Sequence, residues 1–192
     1  MNDTTSQIVK ALKNSQVVIL PSDTLYGPEA NAYDAQAVSK VFAIKQRQIE
    51  KKLPIHYHSL EQMDNDIIIT PLIEKLVQKF MPGGLTIIAN KKSNSKLKFI
   101  ENTVGFRIPN HKTLPEIIKQ LGMPVTMPSA NISNAPPSMR FAEIAQELNI
   151  KGIEDDASLC AIPSTIIDAT TLEVKLVRHG KIAWNQILEA MR

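Results

Sequence analysis

The chain of 192 residues has a single cysteine, Cys160, which excludes an intramolecular disulfide and any multi-cysteine zinc site. It has no apolar run long enough to span a membrane. Its first residues, Met1 to Gln7, are polar with no apolar run behind them, which does not fit a secretory signal, so a soluble cytoplasmic protein is expected. Aromatics are few, with five Phe, one Trp and three Tyr, poor material for a base-stacking platform. None of the seven glycines, at 27, 83, 84, 105, 122, 152 and 180, makes a G-x-G, so a dinucleotide-binding fingerprint is absent. P-loop spacing, H-E-x-x-H and G-x-S-x-G are absent as well. An excess of one charge is also lacking: 22 Lys and Arg face 19 Asp and Glu, and a net +3 does not by itself imply nucleic-acid binding.

What is present is the composition of a globular domain, 43% hydrophobic and 21% charged, long enough to bury one core. No repeat or composition break divides it, so one domain over 1–192 is expected. Ile8, Val9 and Leu12 share one side of a first helix, and Val17 to Leu20 reads as a buried strand stopped by Pro21. Asp34 is placed to cap a helix carrying Ala37, Val38, Val41 and Phe42. Leu53, Ile55 and Tyr57 alternate as in a strand, and Thr70-Pro71 opens a helix through about Phe80. Strands follow at Leu85–Ile88, Val104–Ile108, Thr165–Ile167 and Val174–Val177, with a short apolar stretch at Pro124–Met127. Thr113 and Glu116 fit a capping box for a helix ending at Gly122, and further helices span about Met139–Leu148 and Ala183–Met191. Interleaved strands and helices predict an α/β or α+β fold: one twisted, mostly open mixed sheet flanked by helices.

Polar clusters recur at the ends of the expected strands. They are Pro21-Ser22-Asp23-Thr24-Leu25-Tyr26-Gly27, Lys45-Gln46-Arg47 with Lys51, Pro82-Gly83-Gly84-Leu85-Thr86, and Thr103 to His111. Three more follow: Pro128-Ser129-Ala130-Asn131-Ile132-Ser133, Pro163 to Asp168, and Leu176-Val177-Arg178-His179-Gly180. Singly, each reads as turn or cap chemistry, or as a strand-end charge. Together they put hydroxyls and cations where open α/β sheets hold ligands, and they suit a ligand of several negative charges. His56 and His58, two apart, would share a face on a strand; with no third ligand nearby in sequence, a polar strand edge is the better reading of that pair than a metal site.

In this order the clusters resemble the YrdC-like family, whose best-known members are threonylcarbamoyl-AMP synthases. The likeness runs from about Ile8 to Ile187, and the chain ends soon after the last cluster, as in the short form of the family. The resemblance implies a YrdC-like fold with a central electropositive cavity, and an enzyme joining L-threonine, bicarbonate and ATP into threonylcarbamoyl-adenylate with release of pyrophosphate. A separate transferase would then carry the group to tRNA. Carried over by position, Lys45 and Arg47 would be the catalytic cations. Arg47, Lys51, Thr103, Ser129, Asn131, Ser138 and Arg178 would surround ATP, with Pro137 standing where a nucleotide-contacting serine is common. Thr24, His56, Arg107, Met127 and Ser164 would surround threonine, with Arg107 meeting its carboxylate. No protein metal site is implied, since Mg2+ would arrive on ATP. The chain departs from the family pattern at Pro28, Gln48, Lys52, Met81, Gly84, Asn134 and Pro137.

The chemistry fits these residue types. Carbamate, ATP and pyrophosphate are anions, so cations must offset their repulsion. Two unit charges 4 Å apart interact by roughly 4 kcal/mol at an effective dielectric near 20, so a few cations decide whether the anions share a pocket. A second reading keeps the cavity without turnover, as a nucleotide- or RNA-binding module, on the strength of the basic stretch Lys91, Lys92, Lys96 and Lys98. A third changes only the amine acceptor.

Overall fold

The computed structural model describes residues 3–46, 53–126, 128, 140–154, 159–160 and 162–192. Helix α1 (Asp3–Lys13) buries Ile8, Val9 and Leu12, as the spacing predicts. Strands β1 (Val18–Pro21) and β2 (Tyr26–Asn31) pair antiparallel. Helix α2 (Ala35–Ile44) starts where Asp34 accepts the N–H groups of Gln36 and Ala37, and it buries Ala37, Val38, Val41 and Phe42. Next come β3 (Ile55–His56), α3 (Leu60–Asp64) and α4 (Pro71–Phe80), the last capped by the Thr70 hydroxyl with proline at its start. Then follow β4 (Leu85–Asn90), β5 (Thr103–Arg107), α5 (Leu114–Leu121), β6 (Val125–Thr126) and α6 (Phe141–Leu148). The order closes with β7 (Thr165–Asp168), β8 (Lys175–Arg178) and α7 (Trp184–Met191).

Three details differ from the sequence reading. All six residues of β2 are buried, so it shows no alternation, and Gly27-Pro28-Glu29 disguised it as a loop. Helix α3 has five residues, too few for a periodic signal. The capping box at Thr113 does not form: Thr113 makes no side-chain cap bond, and His111 Nδ1 accepts the N–H groups of Thr113 and Leu114, both at 3.2 Å. At the other end of α5, Gly122 adopts φ 73°, the left-handed conformation a helix C-terminus favours.

Among the described residues eight strands form one mixed sheet in the order β1-β2-β6-β3-β5-β4-β7-β8. Among the named strands of the described residues, β3–β5 and β4–β7 pair parallel and the rest antiparallel. Along the central strands the residues alternate. Leu85, Ile87, Ala89, Val104, Phe106 and Ile167 point into the main core with residues of α3, α4 and α7. Each of the larger of these side chains, fully buried, contributes about 1.5–3 kcal/mol, and the Ala89 methyl less. Helices α1 and α5 pack on β1 and β6, α2 on Ala30 and Leu53, and α6 on Ile19 and Tyr26. The residues between the core positions of β4, β5 and β7 face the other way and floor a cavity. No helix among the described residues is long and apolar enough to cross a membrane.

Candidate active site

The cavity has a volume of about 410 Å³. The turn between β1 and β2 forms one wall. There Ser22 Oγ accepts the N–H groups of Thr24 and Leu25 at 3.2 Å and donates to the Leu25 carbonyl at 2.8 Å. This turn, rich in small polar residues, presents Asp23 and Thr24 to Arg107 on β5.

Arg107 is buried, 3% exposed, and held by four neighbours. Nη1 lies 3.1 Å from Asp23 Oδ1 and donates to the Gly83 carbonyl at 3.4 Å. Nη2 donates to Thr24 Oγ1, and Nε to His56 Nε2, both at 3.3 Å. Parallel pairing of His56 with Arg107 across β3 and β5 sets that last contact. Because Nε2 accepts, the ring proton resides on Nδ1, which has no hydrogen-bond partner among the described residues. Burial, reinforced by the Arg107 charge, lowers His56 well below the usual histidine value and keeps the ring neutral. Asp23 also accepts the Asn110 N–H at 3.2 Å and sits 3.4 Å from Lys181 Nζ.

The opposite wall is built on β7 and β8. Arg178 donates through Nε and Nη2 to the Ser164 carbonyl at 3.2 and 2.8 Å, and through Nη2 to the Ser164 hydroxyl at 3.2 Å. The Ser164 hydroxyl lies 2.8 Å from that of Thr86 on β4, so a polar ladder crosses three strands. Gly180 secures this corner: a Cβ there would come within 2.4 Å of the Pro163 carbonyl oxygen, so only glycine allows the two backbones to touch.

Six of the residues singled out in the sequence therefore line one cavity: Thr24, His56, Thr103, Arg107, Ser164 and Arg178. Lys45 is buried at the C-terminal cap of α2 and is not among the lining residues. Arg47, Lys51, Met127, Ser129, Asn131, Pro137 and Ser138 lie outside the described residues. Of the expected cations that lie among the described residues, Arg107 and Arg178 line the cavity and Lys45 does not, and the charge of Arg107 is already met by Asp23. His58 does not join His56: it lies beyond β3, and its N–H donates to Gln62 Oε1 at 3.0 Å.

The sequence reading gave no role to Asp23, Thr86, Asp168, Lys181 or Glu29. The first three stood inside quoted clusters, and Lys181 follows the last one. Glu29 carried no signal. It is fully buried on β2, and neither carboxyl oxygen has a hydrogen-bond partner among the described residues. Burial raises it well above the usual carboxylate value, against a smaller opposing pull from Arg107.

The fold and the site define one class of protein. The Sua5/YciO/YrdC family model, described as telomere recombination, matches residues 10–180, and the chain belongs to this family. Among its relatives is a putative threonylcarbamoyl-AMP synthase of Methanocaldococcus jannaschii, 35% identical over 90% of this chain and 84% of that protein. The threonylcarbamoyl-AMP synthase of Bacillus subtilis is 30% identical over 95% of this chain, which spans 55% of its length. The crystal structure of P. abyssi Sua5 complexed with L-threonine superposes with a TM-score of 0.89 at 29% identity, covering 97% of this chain and 56% of that one.

Proposed function

We propose that this chain is an enzyme that condenses L-threonine, bicarbonate and ATP into threonylcarbamoyl-adenylate and pyrophosphate. The observation that carries the reading is the convergence of Thr24, His56, Thr103, Arg107, Ser164 and Arg178 on one cavity in a chain related to threonylcarbamoyl-AMP synthases. The threonine amine and bicarbonate first give a carbamate, with loss of water. A carbamate oxygen then attacks the α-phosphorus of ATP, and the bond from that phosphorus to the bridging oxygen breaks as pyrophosphate leaves. The reaction is thus a nucleotidyl transfer.

The protein's part is positioning and charge placement. Arg107 is held rigid by Asp23, Gly83, Thr24 and His56, and it keeps one Nη2 N–H for the threonine carboxylate. Arg178, fixed on Ser164, faces the phosphate oxygens beside Thr86, while Thr24, His56 and Ser164 belong with Arg107 to the threonine side. Lys45, Arg47, Lys51, Thr103, Ser129, Asn131, Pro137 and Ser138 belong to the ATP side, and Met127 to the threonine side. Mg2+ enters as part of the substrate, held by phosphate oxygens and water. The product is a reactive mixed anhydride, which a downstream threonylcarbamoyl transferase uses on tRNA in the cytoplasm.

The non-catalytic RNA-binding alternative is less well supported. Each lysine of the basic loop engages its own fold. Lys91 and Lys98 donate to the carbonyls of Leu97 and Ser95, Lys92 pairs with Asp64 at 2.7 Å, and Lys96 lies 5.8 Å from the Tyr33 ring centroid. The test is pyrophosphate release from purified protein. Release that requires ATP, bicarbonate and threonine together supports the reading; release that ignores threonine contradicts it.

A further inference from the structure

Asp168 is an anion on the floor of a cavity read above as a site for anions. Cross-strand pairing puts Gly105 of β5, Ile88 of β4 and Asp168 of β7 in one row, and all three line the cavity. The neighbouring row is Thr86, Ile166 and Arg178. Asp168 Oδ1 is committed: it accepts the Thr170 N–H at 2.9 Å and the Thr170 hydroxyl at 2.6 Å. Oδ2 accepts no hydrogen bond among the described residues, and Asp168 forms no ion pair there, since Arg178 turns its Nε and Nη2 toward Ser164. A free carboxylate oxygen repels phosphate and attracts a neutral donor. It therefore marks where the uncharged part of the ligand rests. Threonine does not fit this place, because the cluster around Arg107 is two residues away along β5, roughly 7 Å.

We propose that Asp168 recognises the ribose hydroxyls of the nucleotide, while the bare backbone of Gly105 and the side chain of Ile88 floor the nucleoside. This assignment rests on the reading that the cavity takes ATP. It orients the nucleotide with its sugar over Asp168 and its phosphates toward Arg178. Oδ2 has two lone pairs to accept from the vicinal hydroxyls. Gly105 supplies room rather than a special backbone shape. A Cβ there would meet Ile88 Cγ1 and Thr86 Cγ2 at 3.9 Å, ordinary contact distance, so Gly105→Ala folds normally and only fills the floor.

The experiment is calorimetric titration of the full chain with ATP, 2′-deoxy-ATP, 3′-deoxy-ATP and inosine triphosphate, at two Mg2+ concentrations. Wild type is expected to bind ATP about tenfold tighter than either deoxy analogue, the effect of one hydrogen bond to a charged acceptor. Asp168→Asn keeps the turn to Thr170 but replaces the free acceptor with a donor, and it should bring that ratio close to one. Thr170→Val, which leaves Oδ2 in place, should retain the ratio. Gly105→Ala should weaken all four nucleotides together. The assignment is overturned if Asp168→Asn keeps the wild-type ratio, if it loses discrimination against inosine triphosphate instead, or if its defect disappears at high Mg2+. Equal binding of ATP and the deoxy analogues by wild type removes this assignment alone; no binding of any adenine nucleotide removes the functional reading with it.

Discussion

The guanidinium of Arg107 lies 3.1 Å from the carboxylate of Asp23, with the two side chains only 4% and 6% exposed. The pair ties the β1–β2 turn to β5, and it gives the cavity a cation that cannot swing away. Its geometry makes a direct prediction. Asp23→Ala leaves a buried guanidinium without its counter-charge, which costs about 3–5 kcal/mol in chemical unfolding. Arg107→Met together with Asp23→Ala should recover part of that loss, because the unpaired charge is gone. Threonine binding should fail in the double variant even though the fold is restored. Equal stabilities of Asp23→Ala and wild type would remove the pair from the account.

Arg178 behaves differently, because it sits on the rim. Arg178→Ala should change stability by no more than about 0.5 kcal/mol, as surface substitutions usually do. The KM for ATP should rise by about tenfold or more, the scale of a lost charge-assisted hydrogen bond. Steady-state kinetics beside a thermal melt separates the two effects. A normal KM for ATP would take Arg178 out of the phosphate site.

Glu29 gives a pH-dependent prediction with a definite sign. Its folded-state pKa is raised above the ordinary value of 4.5, so ionisation is easier in the unfolded chain. The folded state therefore carries no penalty below about pH 4.5, and loses stability as the pH rises from there to the folded pKa. Glu29→Gln removes that loss. The variant should melt near the wild type at pH 4 and above it at pH 8, by about 1–3 kcal/mol. A difference that shrinks as pH rises would contradict the assignment.

His56 runs the opposite way. Its folded pKa lies well below 6.5, so the unfolded chain takes up the proton first, and stability falls as the pH drops below about 6.5. His56→Gln should flatten that decline. The pH profile of turnover should show no inflection from His56 between pH 6.5 and 8. Unfolding curves collected from pH 5 to 8 for both proteins check this.

Local signals were easy to read in the sequence, and non-local ones were not. Asp34 before α2 and Thr70-Pro71 before α4 announce those helices because a cap acts within three residues. The Thr113 cap read equally well, yet its side chain makes no cap bond, and His111 instead takes the N–H groups of Thr113 and Leu114 from outside the helix. Strand β2 was hidden because burial on both faces leaves no alternation. The ordered clusters pointed to Thr24, His56, Thr103, Arg107, Ser164 and Arg178. What they did not convey was contact. A two-residue strand, β3, sets His56 beside Arg107 through parallel pairing over 51 positions, and the Ser164–Thr86 contact spans 78. Such register follows from the whole sheet, as does the placing of Asp168 in the row of Gly105 and Ile88.

The most direct test of the central claim, that one cavity brings threonine beside ATP, is mass detection of the product made with 13C-labelled bicarbonate. Purified protein supplied with threonine, ATP and the label should yield threonylcarbamoyl-adenylate one mass unit heavier than with unlabelled bicarbonate, and Arg107→Met should yield none. A folded wild-type protein that forms no such adenylate, or forms one lacking the labelled carbon, would contradict the account.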